Sequence, residues 1–264
     1  VKCSAIQLVS SPDPIANMDS VRRLIGYAVG LGSTLIALPE FWVSFGSDEP
    51  LAHVAMAKQS SSFRAFMSEM ARTHQIFLFG GSIPTESPNP DRVHNTTFVY
   101  DPHGNEIAHY HKVHLFTFHG SNESLNESRT IAPGRGFVKA DLPTIGGVAL
   151  SICYDLRFPE LFRSLGEFKI IVAPSAFTVE TGQAHWEVLV RARAIENQCY
   201  VIAPAQGGTH ANGRRTHGHS MIVGPWGQII DELALGEGVI AADFDCEAID
   251  AVRNKIPALA SRVV

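Results

Sequence analysis

Residues 147–174 read GVALSICYDLRFPELFRSLGEFKIIVAP, and their pattern decides the fold class. Val148 to Ile152 is a short continuous apolar run, the pattern of a strand buried on both faces. A turn follows, and Pro159 suits the first turn of a helix that runs to about Leu165. Ile170 to Ala173 is a second apolar run. Strand, helix and strand in this order make a βαβ unit, the building block of sheets with parallel strands.

The alternation continues in both directions. Upstream, KCSAIQLV (2–9) reads as a strand closed by Ser-Ser-Pro. Met18, Val21, Ile25, Ala28 and Val29 form a helical stripe over 15–31. Thr34 to Leu38 is a buried strand that ends at Pro39-Glu40. Phe63, Phe66, Met67 and Met70 mark a helix from Phe63 to Thr73, and Ile76 to Phe79 is a strand stopped by Gly80-Gly81. Thr96–Tyr100 and Glu106–Tyr110 form a hairpin around Asp-Pro-His-Gly-Asn (101–105). Residues 115–135 show no period, and so long a loop inside a compact fold is more often functional than idle.

Downstream, Trp186, Leu189, Val190 and Ala194 share one side of a helix over about 184–197. Tyr200 to Ala203 is a strand. His219–Val223 and Gln228–Glu232 pair across Gly-Pro-Trp-Gly, and Val239 to Ala242 precedes a short helix near 246–254. No Pro/Gly/Ser linker and no fixed repeat interrupts the series. One domain over 1–264 is expected, with a layered, mixed-sheet α/β architecture.

Composition narrows the function. The chain has 264 residues, 45% of them hydrophobic, which supplies a sizeable core and excludes a disordered chain. Its 21 basic and 26 acidic residues leave a net charge of −5. That balance argues against a nucleic-acid partner. No apolar run approaches the roughly 18 residues of a membrane span, and VKCSAIQLVSSPDP lacks a signal-peptide pattern. A cytoplasmic protein without a membrane partner is expected. Cysteines 3, 153, 199 and 246 have neither zinc-knuckle nor redox spacing, so reduced thiols are expected.

Three residues at the ends of predicted strands carry chemistry: Glu40, Lys112 and Cys153. A thiol of ordinary pKa about 8.5 is mostly protonated at neutral pH and needs a base or a cation beside it to become a nucleophile. Glu40 and Lys112 are the right types. Each residue alone has a plainer reading, as surface acid, solvated lysine or core cysteine; it is the set that raises all three. Cys3, Cys199 and Cys246 read as core or surface residues.

The motifs around these positions resemble the nitrilase, or carbon–nitrogen hydrolase, superfamily. The matching blocks are LPEFW (38–42), HKVHLF (111–116), ESRTIAPG (127–134), SICYDLRFPELF (151–162), PSAFTVETGQAHWEVLVRARAIENQCYVIAPAQ (174–206) and GHSMIVGPWG (218–227). The last third is most similar to the branch of deaminated glutathione amidases, with the ω-amidases as neighbours. The resemblance implies a four-layer αββα sandwich with mixed sheets. It also implies Glu40 as general base, Lys112 as the partner lysine and Cys153 as the nucleophile. Glu127 takes the place of a second glutamate beside the lysine, expected to tune Glu40 and orient Lys112, and the backbone N–H of Tyr154 joins Lys112 in stabilising an oxyanion. No metal or organic cofactor is implied, and homodimers or larger homo-oligomers are.

The substrate so implied is a small carboxylate-bearing amide, cleaved through a Cys thioester with release of ammonia or amine. An ω-amidase acting on α-ketoglutaramate, a nitrilase or an N-carbamoyl amino acid hydrolase would use the same trio, and a catalytically silent binding protein would keep only the fold. His109, His111 and His114, with His217 and His219, suggest a metal hydrolase, but no carboxylate completes a zinc signature, and the resemblance makes the histidines flanking the lysine structural. Asp155 and Arg157 are expected to pair and brace the turn, in preference to contacting substrate. Phe177 and Trp186 read as core or pocket wall. Arg191, Arg193 and Glu196 read as solvated or at a subunit interface. Arg214, Arg215 and His210 are candidates, by charge, for a substrate carboxylate. The chain departs from the family pattern at Thr117-Phe118-His119-Gly120, at Gly224, and in the tail IPALASRVV.

Overall fold

The computed structural model describes residues 1–49, 51–120 and 124–263. Its N-terminal strands are β1 (Lys2–Gln7), β2 (Leu35–Ala37), β3 (Phe77–Phe79), β4 (Ile83–Glu86), β5 (Val93–Tyr100) and β6 (Glu106–His111), and a small hairpin of β7 (Thr117–His119) and β8 (Ser124–Asn126) follows. Next come β9 (Lys139–Leu142), β10 (Gly146–Leu150), β11 (Ile170–Val172), β12 (Tyr200–Ala203), β13 (Ser220–Val223) and β14 (Ile229–Leu233), before β15 (Gly238–Asp243). The helices are α1 (Pro14–Gly30), α2 (Ala52–Ala57), α3 (Ser60–His74), α4 (Pro159–Ser164), α5 (Val179–Asn197) and α6 (Cys246–Lys255).

Two mixed sheets organise these elements. One has the order β15-β1-β2-β3-β5-β4, with β6 also on β5; the other runs β14-β13-β12-β11-β10-β9. Among the described strands, the parallel pairs are β1–β2–β3 and β10–β11–β12. The βαβ unit of residues 147–174 is therefore real, and it lies at the centre of the second sheet.

Period-two alternation builds the layers. Cys3, Ala5, Leu35, Ala37 and Phe79 face a core shared with the second sheet. Their neighbours Ile6, Ile36, Leu38 and Leu78 face the other way, against Val21 and Ile25 of α1 and Phe63 and Met67 of α3. Beyond the second sheet, Leu161, Phe162, Trp186, Val190 and Ala194 of α4 and α5 close the shared core. The result is the expected αββα sandwich. Among the described residues no helix is long and apolar enough to cross a membrane.

Local chemistry explains where the predicted elements begin and where others were missed. Helix α5 starts before Ala184, because the Thr178 hydroxyl accepts from Thr181 N and caps it at Val179. Strands β4 and β9 escape a pattern reading because they lie at sheet edges, where pairing comes from the neighbour and Pro84 is tolerated. The aperiodic stretch 115–135 contains the β7–β8 hairpin and a 3₁₀ turn at Glu127–Arg129; residues 121–123 of it lie outside the described residues. Gly224 closes the β13–β14 turn by donating to Gln228 O at 2.9 Å. The tail folds back on the chain, with Gln198 Nε2 donating to Ile256 O at 2.6 Å; Val264 lies outside the described residues.

Candidate active site

Glu40 and Cys153 each stand just past the C-terminal end of a parallel strand, β2 in one sheet and β10 in the other, and Lys112 directly follows β6. Loops at the carboxyl ends of such strands are where α/β folds place reactive groups. All three side chains are buried: Lys112 is 0% exposed, Glu40 2% and Cys153 7%.

Glu40 is fixed on every side. Gly81 has φ +57, and a Cβ there would fall 2.1 Å from Pro39 O, so only glycine lets the chain press against Pro39-Glu40. Gln206 Nε2 donates to the Glu40 carbonyl at 3.1 Å. Its carboxylate Oε1 accepts from Asn95 Nδ2 and from Lys112 Nζ, both at 2.9 Å. Asn95 also accepts, through its backbone oxygen, from Lys112 N at 2.8 Å. One residue of β5 thus holds both the glutamate and the lysine.

Lys112 Nζ also donates to Glu127 Oε1 at 2.9 Å, while Glu127 Oε2 accepts from Phe116 N at 2.7 Å. The ammonium therefore bridges two carboxylates. Burial works against its charge, but Glu127 and Glu40 outweigh that and hold Lys112 well above its ordinary pKa. Burial raises the Glu127 carboxyl, with Lys112 opposing and Glu40 adding to the rise.

Cys153 opens a 3₁₀ turn, Cys153–Arg157, at φ +51. A non-glycine residue in this left-handed region is strained by about 1–2 kcal/mol, and here the surroundings enforce it. Cys153 N donates to Pro174 O at 2.9 Å, and the thiol accepts from the Ala176 amide. Burial first, and then Glu40, lifts the thiol well above its ordinary pKa, with Lys112 offsetting part of the rise. The resting group is a thiol. Tyr154 N–H, near the start of this turn, has no partner within the turn itself, as at any helical N-terminus.

Glu40, Glu127 and Cys153 open on a cavity of about 190 Å³. Lys112 lies behind its wall. Aromatic rings close the sides, among them Phe116 and Tyr154, in edge contact at 5.1 Å, and Phe177. Leu125 and Asn126 of β8 also reach it, so the segment that departs from the family pattern borders the pocket through its hairpin partner.

Several expectations need correcting. Asp155 does not pair with Arg157. Asp155 is 0% exposed and accepts from Ile152 N and Tyr110 OH, both at 2.9 Å, while Arg157 lines the cavity. The Arg157 guanidinium lies 5.6 Å from both the Tyr154 and Phe177 ring centres and meets His185 Nδ1 at 3.3 Å. Arg193 is neither solvated nor on a free face. It is buried and donates from Nε to Leu156 O at 2.8 Å, bracing the cysteine turn, and Glu196 accepts from its NH1.

The other candidates divide. Phe177 lines the cavity, and Trp186 backs it edge-on at 4.9 Å. Arg214 lines the cavity, Arg215 is exposed outside it, and His210 is buried with its ring nitrogens on Ser10 O and Thr216 Oγ1. His109, His111, His114 and His219 each have their own partner, namely Glu106, Thr96, Asp155 and Glu232. Among the described residues no group of three His, Cys, Asp or Glu side chains could hold a metal ion. Asn95 was not legible as a site residue; it stands just before the predicted strand Thr96–Tyr100, within the observed strand Val93–Tyr100.

Comparison with known proteins identifies the chain's relatives. A family model described as carbon–nitrogen hydrolase matches residues 2–254. The chain is 37% identical to a deaminated glutathione amidase of Synechocystis sp., over 98% of this chain and 97% of the relative. It is 35% identical to the omega-amidase Nit3 of Saccharomyces cerevisiae, over 97% of this chain and 91% of the relative. A solved structure of S. cerevisiae Nit3, described as a member of branch 10 of the nitrilase superfamily, matches with TM-score 0.88 at 32% identity, covering 100% of this chain and 97% of that one. A mutant of the amidase from Nesterenkonia sp. AN1, solved with acrylamide added at its active-site cysteine, matches with TM-score 0.79 at 27% identity, over 97% of this chain and 98% of that one.

Proposed function

The chain belongs to the carbon–nitrogen hydrolase family and is an amide-hydrolysing enzyme; from that premise we propose that it cleaves a small amide whose acyl part carries a carboxylate, with Cys153 as nucleophile. The observation that carries this reading is the convergence of Cys153, Glu40, Glu127 and the Arg157 guanidinium on one small cavity, with the Lys112 ammonium bridging the two glutamates from behind its wall.

Because the resting group is a thiol, attack needs a base in place. Glu40 takes the thiol proton as Cys153 Sγ bonds to the amide carbon. Negative charge then gathers on the carbonyl oxygen, where Lys112 and the Tyr154 N–H stabilise it; losing one such donor costs about 3–4 kcal/mol. Glu40 next gives its proton to the nitrogen, the C–N bond breaks, and ammonia or amine leaves a thioester. Water follows, giving a proton to Glu40 and its oxygen to the acyl carbon, and the thiol recovers its proton as the acid departs. Arg157, in the same turn as Cys153, binds the acyl carboxylate.

The Arg157 guanidinium on the wall favours an acyl part that carries a carboxylate. The relatives described as acting on deaminated glutathione and as omega-amidases support the same class. All four cysteines are free thiols, which suits a reducing cytoplasm. Self-association belongs to the same proposal: Val188 and Ile195 on α5 and Trp226 beside them are 68%, 51% and 50% exposed. Sedimentation should give a dimer or larger, and a monomer at micromolar concentration would remove that element.

The deciding experiment is a turnover panel of α-ketoglutaramate, glutamine, a nitrile and an N-carbamoyl amino acid, with intact-mass detection of an acyl adduct on Cys153. Preference for the keto-acid amide with a Cys153 adduct is expected. Preference for the nitrile or carbamoyl compound would overturn the substrate class, and absence of any adduct would favour a silent protein.

A further inference from the structure

Oε1 of Glu40 already accepts from Asn95 Nδ2 and from Lys112 Nζ, both at 2.9 Å, so among the described residues Oε2 is the oxygen left to take a proton from the cavity. The water that hydrolyses the thioester carries two protons. One goes to Glu40; the other needs an acceptor of its own if a lone pair is to point at the acyl carbon. The departing nitrogen has less need of such help, because its bond to the carbon orients it, whereas a free water must be placed.

His53 stands where that acceptor is required, and the reaction sequence above makes no use of it. It is the second residue of α2 and shares the cavity wall with Glu40 and Cys153. Its ring stacks at 4.6 Å on Phe41, the residue next to Glu40. Phe41 is held in the left-handed region at φ +49, with its N donating to Ser82 Oγ at 3.1 Å; a strained backbone of this kind persists only where its surroundings enforce it. The platform under the imidazole is thus fixed to the same bend as the base.

Among the described residues neither ring nitrogen of His53 has a hydrogen-bond partner. Several other acceptors on the wall are engaged: Glu127 by Lys112 and Phe116 N, Asn126 Oδ1 by Ser128, and Thr181 Oγ1 by Thr178. Burial, with Arg214 second, lowers His53 to about 4, so at neutral pH the imidazole is uncharged and keeps one accepting nitrogen.

We propose that His53 accepts a hydrogen bond from the hydrolytic water and is a catalytic residue of the second step, placing that water for attack on the Cys153 thioester. This rests on the amidase reading and deepens it. The step balances: a water O–H bond breaks and its proton passes to Glu40, the oxygen bonds to the acyl carbon, the C–S bond breaks, and Glu40 returns the proton to Cys153 Sγ. The proton facing His53 stays on the oxygen of the acid product.

A single turnover of α-ketoglutaramate with enzyme in excess, followed by rapid quench and intact-mass spectrometry, reads formation and decay of the Cys153 adduct separately. His53→Phe keeps a ring on Phe41 and removes the acceptor. Adduct decay should slow by about tenfold or more, the size of effect a lost hydrogen bond produces, while adduct formation stays within about twofold. His53→Gln, which restores an acceptor, should recover part of the decay rate. Addition of acrylamide to Cys153, which needs no water, should proceed at the wild-type rate in both variants. His53→Leu reads the same quantities should the phenylalanine variant fail to fold. Decay at the wild-type rate, or formation and acrylamide addition slowed as much as decay, would overturn the role. Absence of any adduct in the wild-type enzyme across the amide panel would instead overturn the amidase reading, and this role with it.

Discussion

Tyr110 donates its phenolic hydrogen to Asp155 Oδ2 at 2.9 Å, and so joins the residue two before Lys112 to the residue two after Cys153. The same carboxylate receives His114 N at 3.2 Å through Oδ1 and Ile152 N at 2.9 Å through Oδ2, while Val113 N donates to the Tyr110 oxygen at 3.2 Å. Burial, followed by Asp155, raises the Tyr110 hydroxyl, so it stays a donor. Two loops from different sheets are thereby held in one register around the proposed nucleophile.

Removing this clamp should cost both stability and geometry. Asp155→Asn should destabilise by about 3–5 kcal/mol, the range for breaking a buried charged network. Tyr110→Phe should cost about 1–3 kcal/mol, because it takes one donor from the buried Asp155 Oδ2 and leaves the Val113 N–H without its acceptor. Denaturant melts read the first effect, and the rate of Cys153 alkylation by an acrylamide reads the second. An Asp155→Asn protein as stable and as reactive as wild type would show that the clamp does not hold the turn.

Glu127→Gln keeps a hydrogen-bond acceptor beside Lys112 but removes a charge. Burial would then oppose the ammonium with only Glu40 sustaining it, so the Lys112 pKa should fall. The alkaline limb of the rate profile should move to lower pH, and kcat should drop by about tenfold or more. A pH–rate profile superimposable on wild type would remove Glu127 from any role.

On the proposed mechanism Asn95 is a positioning residue that acts through Glu40. Asn95→Leu deletes a hydrogen bond to a charged group, worth about 1.5–3 kcal/mol, so kcat should fall by about 10- to 100-fold with KM little changed. Asn95→Asp places a second carboxylate against Glu40 and should be worse. An effect on KM alone would contradict this placement.

Stability should fall on mild acidification. Burial first, then the neighbouring His94 and His109, lowers His111 from 6.5 to about 4, and His53 is lowered to about 4 by burial and Arg214. Between these values the unfolded chain binds protons that the folded chain refuses. This stabilisation is therefore present above pH about 6.5 and is lost as pH falls toward 4. Thermal melts across that window should show Tm decreasing with pH, and His111→Gln should flatten the slope. Equal slopes for variant and wild type would rule the histidine out.

The sequence by itself determined the α/β class and the family, and it singled out Glu40, Lys112 and Cys153 as the proposed trio. Period-two strands, short apolar runs and strand-end residues are local features, and local features are written in consecutive residues. The edge strands β4 and β9 escaped because an edge takes its pairing from a neighbour rather than from its own pattern. Arg193 illustrates the same limit at the level of a side chain. Helical spacing sets it opposite an apolar stripe, yet the cysteine turn packs over it and turns a nominal surface charge into a buried brace. Only the tertiary structure decided that Asp155 serves Tyr110 and His114, that Arg157 and Arg214 share the cavity with Cys153, and that Asn95 holds Glu40. The three hydrogen bonds among those contacts join residues 41 to 55 positions apart, and what brings them together is the packing of two sheets, which no short stretch of sequence encodes.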